Sequence, residues 1–184
     1  MPAQESALAP PKRFITTHNA DGKAVFSSTI PETCKTDPLP SGDAVFALGY
    51  TTKSFPVNLE NDSDIKTYQS YLDNAPGLTI SNGTVLRYVD MPPGQVSPMH
   101  RTVSLDYGVV LEGEVECILD SGETRILKRG DVAIQRGTMH AWRNTSNTEW
   151  SRMLYVLQPC RPLKAGGKEL GEDLADMQGV RASD

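Results

Sequence analysis

The chain has 184 residues, a length that suits one domain with an adequate hydrophobic core. Its formal net charge is −5, and its lysines and arginines are scattered, which excludes the basic surface of a nucleic-acid-binding protein. No apolar run is long enough to cross a bilayer, and residues 1–14 lack the apolar core of a signal peptide, so we expect no membrane partner.

The first half of the chain predicts short strands between turn-forming residues. Residues 1–12 have the prolines and charges of a flexible arm. Asp62 or Ser63 can cap a short helix over residues 65–72, whose apolar side chains share one face. Runs rich in β-branched and aromatic residues indicate strands at 13–17, 23–28, 44–50 and Thr84–Met91.

The second half is denser in strands. Glycine-containing turns separate segments at 101–111, Glu114–Leu119, 124–127, 132–135, 140–143 and 150–157. Short strands at regular spacing without intervening helices predict an all-β protein, an antiparallel sandwich or barrel. In the tail, Leu170, Leu174 and Met177 have helical spacing, which predicts a short C-terminal helix. No internal repeat is present, so we expect a single barrel.

The cysteines indicate the compartment. Cys34, Cys117 and Cys160 are odd in number and lack the paired spacing of a metal site. Cys117 alternates with Val115 and Leu119, as a small core residue of a strand would. We therefore expect a reducing, cytoplasmic location.

Two histidines lie at fixed distances from glycines and turns. The residues at these positions are, in order, Gly94, His100, Thr102, Asp106, Gly113, Gly130, Asp131, Gln135, Gly137, His140 and Asn144. These are the spacings of the two cupin motifs, and the stretch resembles a small single-domain cupin. Two departures matter: the second histidine of the family is Thr102 here, and its glutamate is Asp106.

Strand periodicity predicts which of these side chains meet. Alternate residues of a strand point to the same face, so two groups share faces if the strands have no bulge. If both faces line one barrel, two imidazoles and a carboxylate converge among polar and aromatic side chains. The first group is His100, Thr102, Ser104 and Asp106, and the second is His140, Trp142 and Asn144.

The resemblance implies a fold, a cofactor and a class of substrate. Small cupins of this kind, found beside polyketide and aromatic-metabolism enzymes, are antiparallel double-sheet jelly-roll barrels that bind a divalent metal and a small organic molecule. Residues 84–160 would then form the barrel core, with strands and loops of residues 13–83 packing on it and residues 161–184 as the tail. The resemblance does not identify a reaction.

His100 and His140 are the predicted metal ligands, since two imidazoles and a carboxylate form a common metal shell. Asp106 is either the third ligand or a partner that orients a histidine, because its stem is one methylene shorter than that of glutamate. Thr102 is a poor ligand, which leaves a coordination position open for substrate, or a pocket without metal. Fe(II), Mn(II), Ni(II) and Zn(II) all remain open.

Four residues are candidates for substrate binding. Arg87 could hold a carboxylate in bidentate fashion, although a solvated edge position is the alternative. Trp142 could stack on an aromatic ring or simply pack in the core. Thr102 and Ser104 supply hydroxyl groups on the face of the histidines.

Two classes of function follow. The first is a metal-assisted lyase-type enzyme acting on a carbonyl or carboxylate compound, in which Asp106, His100 or His140 moves a proton during decarboxylation, dehydration or isomerisation. An Fe(II)-dependent oxygenase is the enzymatic alternative. The second class is a non-catalytic small-molecule binder. In either case the exposed edges of the N-terminal strands favour a homodimer.

Overall fold

A computed structural model describes residues 3–174 and 177–183. Its described helices are a single 3-10 turn, Glu60–Asp62, and one α-helix, α1, Ser63–Asp73. The strands are β1 Thr16–His18, β2 Ala24–Phe26, β3 Asp37–Pro38, β4 Val45–Thr52, β5 Thr84–Met91, β6 Ser104–Glu112, β7 Glu114–Leu119, β8 Thr124–Lys128, β9 Val132–Arg136, β10 His140–Asn144, β11 Ser151–Pro159, β12 Leu163–Ala165 and β13 Lys168–Leu170.

Two antiparallel sheets enclose the core. One sheet has six strands in the order β3-β4-β5-β11-β6-β9, and the other has three in the order β10-β7-β8. The main apolar cluster joins them, because Met91, Val110 and Met153 come from the first sheet and Val115 and Trp142 from the second. The predicted all-β, double-sheet architecture is confirmed.

Alternating burial explains why these segments are strands. Every second residue of β4 is buried, and in β6 Ser104, Asp106, Gly108 and Val110 are buried while the residues between them are more exposed. A strand with one face on the core shows this period of two. β4 pairs with β5, so part of residues 13–83 extends the larger sheet. The division of the chain into segments at residues 12, 83 and 160 stays a prediction.

Helix α1 is confirmed, but its predicted cap is not formed. Ile65 and Tyr68 are buried against Ile30, and the Tyr68 hydroxyl donates a hydrogen bond of 2.7 Å to the carbonyl of Leu48. Asp62 precedes the helix without a capping hydrogen bond, because its Oδ1 accepts one from the Thr17 hydroxyl at 3.1 Å. The helix is therefore stabilised by packing of its apolar face. No described helix is long and apolar enough to cross a bilayer.

The predicted C-terminal helix is wrong for the described residues of the tail. β12 and β13 instead form a hairpin around Gly166 and Gly167, whose φ angles are +56° and +76°. This left-handed conformation is accessible to glycine and ends any helix. The apolar residues that suggested a helix pack without one, since Leu174 contacts the cluster around Leu78 and Ile80. Residues 175 and 176 lie outside the described residues.

Candidate functional site

The candidate site is a cleft between the two sheets. Residues from the larger sheet, from β10 and from the β5–β6 connection line it. The predicted site residues that line it are Arg87, His100, Thr102, Asp106, His140 and Trp142. Ser104 is fully buried and does not line the cleft.

The two histidines are held together by the backbone. His100 and His140 each donate a backbone N–H bond of 2.9 Å to the carbonyl of the other, and their ring centroids are 4.4 Å apart. Each Nδ1 lies 2.9 Å from a backbone carbonyl oxygen, that of Pro98 for His100 and that of Thr138 for His140. Because a carbonyl only accepts, both Nδ1 atoms carry the proton and both Nε2 atoms keep a free lone pair.

Burial keeps both imidazoles neutral. It lowers the pKa of His100 below its ordinary value. It lowers the pKa of His140 to about 4, and the neighbouring His100 adds to this effect. At neutral pH the pair is therefore uncharged, and its Nε2 atoms can accept a proton or bind a cation.

Asp106 is a buried carboxyl group with spare hydrogen-bonding capacity. Its side chain points inward because β6 alternates, and only 4% of the residue is exposed. Burial raises its pKa to about 7. Among the described residues, no group forms a hydrogen bond with its Oδ1. A carboxyl group with this pKa can both take and give a proton near neutrality.

Arg87 is buried, so its alternative assignment as a solvated edge residue is wrong. Its exposure is 6%, its Nη2 donates to the carbonyl of Gly77 at 3.0 Å, and the guanidinium carbon lies 5.0 Å from the centre of the Phe46 ring. Burial lowers its pKa to about 10, so the group is still charged at neutral pH. Arg87 therefore brings a positive charge to the cleft wall.

Trp142 packs in the hydrophobic core and also lines the cleft. It belongs to the main apolar cluster, and its ring lies edge-on to His140 and Tyr155, with centroids 5.7 and 5.9 Å away. One face of the cleft is thus aromatic. Both predicted roles of Trp142, packing and ligand stacking, are compatible with this position.

Sequence reasoning missed several residues of the wall. Phe46 comes from β4, and Met177 from the tail. No motif marks either one. Phe46 could have been found only by pairing β4 with β5 in the correct register, in which Phe46 lies opposite Val89. Tyr155 also lines the cleft, and its hydroxyl donates a hydrogen bond of 3.0 Å to the Met153 sulfur.

The divalent metal that the resemblance implies would need donor side chains that converge in the cleft. The free Nε2 atoms of His100 and His140 suit a metal. However, the described residues contain no group of three or more His, Cys, Asp or Glu side chains placed to hold an ion. Thr102 occupies the position of a third imidazole. Metal binding through His100, His140 and Asp106 stays a prediction.

Comparison with known proteins agrees with this architecture. The Cupin_2 family (cupin domain) matches residues 87–157. "Phomopsin biosynthesis cluster protein C'" of Diaporthe leptostromiformis is 52% identical over 89% of this chain and 86% of its own length. The "cupin-domain-containing oxidoreductase virC" of Hypocrea virens is 46% identical over 82% of this chain and 77% of its own. A solved Klebsiella pneumoniae protein with a double-stranded β-helix domain is 29% identical, with a TM-score of 0.39 over 41% of this chain and 67% of that one. With two facing sheets, paired histidines at the motif positions and relatives of this similarity along most of its length, the chain belongs to the cupin-domain proteins.

Proposed function

We propose that the protein is an enzyme of secondary metabolism that moves a proton on a small carbonyl compound. The observation that carries this proposal is Asp106, a buried carboxyl group with an unbonded oxygen in the same cleft as two neutral imidazoles. Groups poised near neutral pH inside a cleft are typical of acid–base catalysts. The reaction would be an isomerisation, a dehydration or a decarboxylation.

The chemistry needs no change of oxidation state. The ionised Asp106 removes a proton from the carbon next to the carbonyl, and the electron pair of that C–H bond becomes the enolate. The Thr102 hydroxyl can donate a hydrogen bond to the enolate oxygen. Asp106 then returns the proton to another carbon in an isomerisation, or to a departing hydroxyl group, which leaves as water, in a dehydration. In a decarboxylation, carbon dioxide leaves first and protonated Asp106 supplies the proton to the carbanion.

Two relatives support the metabolic setting. The Diaporthe leptostromiformis protein is named for the phomopsin biosynthesis cluster, and the Hypocrea virens protein is named an oxidoreductase. The cleft suits small organic substrates, because its wall combines aromatic and aliphatic side chains with a few polar groups. These points favour an enzyme over a binding module.

Oxidation is the second candidate, and the oxidoreductase name of the Hypocrea virens relative favours it. In the Fe(II)-dependent form, His100 and His140 would hold the ion through their free Nε2 atoms, and the ion would supply dioxygen activation. The chain's own residues would then bind and orient the substrate. This candidate requires dioxygen, whereas proton transfer by Asp106 does not.

Proton exchange in deuterium oxide tests the first candidate directly. Neutral aryl β-hydroxy ketones and β-diketones are incubated anaerobically with the protein, and deuterium at the α-carbon is followed by NMR. We expect exchange above the buffer rate with wild type and with Asp120→Asn, which changes an exposed aspartate, and none with Asp106→Asn. Equal exchange in wild type and Asp106→Asn would contradict the proposal.

The same substrates separate the alternatives. Dioxygen consumption linked to product, with no anaerobic exchange, would assign the protein to the oxidation candidate. Saturable binding by calorimetry without exchange or oxidation would assign it to the class of non-catalytic binders.

A further inference from the structure

Arg87 is a buried charge in the wall of the cleft. Within residues 3–174 and 177–183, no aspartate or glutamate forms a salt bridge with it. Its hydrogen bond to the Gly77 carbonyl uses one Nη2 hydrogen of the five that a guanidinium can donate. Removing such a charge from water is costly unless an anion compensates it.

A second buried arginine of the same sheet has its charge compensated by a carboxylate. Arg152 on β11 is also buried, and its Nε and Nη2 each donate a hydrogen bond of 2.6 Å to the Asp90 carboxylate. This pairing raises the pKa of Arg152, whereas burial lowers that of Arg87. The difference between them is position: Arg87 lines the cleft, and Arg152 does not.

Strand register places Arg87 and Asp106 at opposite sides of one surface. Tyr155 of β11 lies opposite Arg87 of β5 on one side and Gly108 of β6 on the other. Asp106 is two residues from Gly108 and shares its face. Because neighbouring strands are about 4.8 Å apart, the backbones of β5 and β6 are separated by roughly 10 Å across β11. That separation is comparable to the length of a small organic acid.

Gly108 allows the Tyr155 ring to pack closely over β6. A Cβ atom at position 108 would be 2.8 Å from Cε1 of Tyr155, closer than packed carbon atoms come. With glycine there, the ring packs over β6, and Tyr155 gives an aromatic surface to the cleft that Arg87 and Asp106 also line. An unsaturated or aromatic skeleton can pack on such a surface.

We propose that the cleft binds a small unsaturated or aromatic monocarboxylate, whose carboxylate pairs with Arg87 while its skeleton lies over Tyr155 toward Asp106. The assignment of Asp106 to the reacting end rests on the proposed function. The ligand carboxylate is then bound at Arg87, away from the proton-transfer group, Asp106. Isomerisation or dehydration fits this arrangement better than decarboxylation, in which the carboxylate itself would leave.

Cinnamate and cinnamamide form a matched pair of probes, because they share size and shape and differ in charge. Isothermal titration calorimetry with wild type should give binding of cinnamate at least about tenfold tighter than that of cinnamamide. Arg87→Met should abolish this preference, and Arg87→Lys should keep only part of it, since lysine lacks the bidentate geometry. Arg136→Met, which changes an exposed arginine of β9, should leave it unchanged.

Equal or undetectable binding of the two probes to wild type would overturn the inference, as would an unchanged preference in Arg87→Met. If circular dichroism shows that Arg87→Met is unfolded, Arg87→Lys decides: an undiminished preference for cinnamate then overturns the inference. The proton-exchange assay uses neutral ketones and does not depend on Arg87. If wild type exchanges the proton but shows no preference for cinnamate, this inference alone is rejected. If wild type prefers cinnamate but exchanges no proton, the proposed function alone is rejected.

Discussion

Burial of the Asp106 carboxyl group lowers the stability of the folded protein at neutral pH. Burial raises its pKa from 3.8 to about 7 in the folded protein, so the folded state favours the protonated form. The protonated Asp106 contributes fully to the stability of the folded protein below the pKa that the group has in the unfolded chain. This contribution is lost as the pH rises through about 7. We expect Asp106→Asn, which carries no charge at any pH, to gain stability relative to wild type between about pH 4 and pH 7, by an amount on the order of a few kcal/mol.

Urea unfolding of both proteins across this pH range measures the difference. The gap should level off above about pH 7, where the wild-type carboxyl group is ionised in both states. Asp120→Asn supplies the baseline for an exposed aspartate. A pH-independent gap between wild type and Asp106→Asn would show that Asp106 titrates normally.

Thr102 is the residue that distinguishes this site from a three-histidine arrangement. Thr102→His should place a third imidazole on the face of His100 and tighten the binding of a divalent ion by about tenfold or more. We also expect lower turnover, since the new ring fills the space left for substrate. Zinc titration followed by calorimetry, with His140→Ala as the variant expected to lose the ion, checks the first effect. Tighter binding with undiminished turnover would reject the idea that an open position matters.

Motif spacing identified most of the cleft residues but not the setting of Arg87. His100 and Thr102 lie in the connection before β6 and Asp106 lies in β6, yet all three are buried and line the cleft, as the predicted period of two requires. β5, however, is covered on both sides, with little alternation in burial toward its C-terminal end. A strand with two covered faces gives no periodic signal for which side chain reaches the cleft. Only tertiary packing could show that Arg87 does.

At the scale of elements, the close contact between β6 and β11 can be tested by adding a single methyl group. Gly108→Ala would push Cβ into the Tyr155 ring, so we expect a loss of about 1–3 kcal/mol in the free energy of unfolding and weaker binding of aromatic ligands. Gly171→Ala is the control, because nothing lies within 4 Å of its Cβ position and its φ is not positive. Its effect should stay within about 0.5 kcal/mol. Chemical denaturation of both variants measures the difference, and equal stabilities would contradict the predicted clash.

Strands and turns were more predictable than the tail. Thr84–Met91 and Glu114–Leu119 match the predicted bounds, since turn-forming residues define both ends. The helical spacing of Leu170, Leu174 and Met177 was misleading, because the turn at Gly166 and Gly167 directs the chain into a hairpin. Turn residues act locally, whereas the apolar side chains of the tail only needed a surface to pack on. The cluster around Leu78 provides that surface.

For the whole molecule, we expect a homodimer formed through the β9 edge of the larger sheet rather than through the N-terminal strands. Val132 and Ile134 of β9 are about half exposed, and Tyr107, which lies opposite Ile134, is 41% exposed. An apolar edge strand of this kind favours pairing with a second copy. Light scattering should therefore give twice the 20.1 kDa mass of one chain at micromolar concentration.

Ile134→Lys should convert the dimer to a monomer, since a charge on the edge opposes strand pairing. Ile126→Lys is the matched control, because Ile126 is similarly exposed but belongs to the other sheet. A wild-type mass of one chain, or a dimer that persists in Ile134→Lys, would exclude this interface.

The tail has a role beyond completing the fold. A Cβ atom on Gly77 would overlap the carbonyl oxygen of Ala182, so the tail lies directly against Gly77. The Gly77 carbonyl in turn accepts the hydrogen bond of Arg87. Met177 of the same segment lines the cleft. Part of the binding surface is thus built from a segment outside the two barrel sheets. We therefore expect substitutions in the tail to change the shape of the cleft without disturbing a barrel strand.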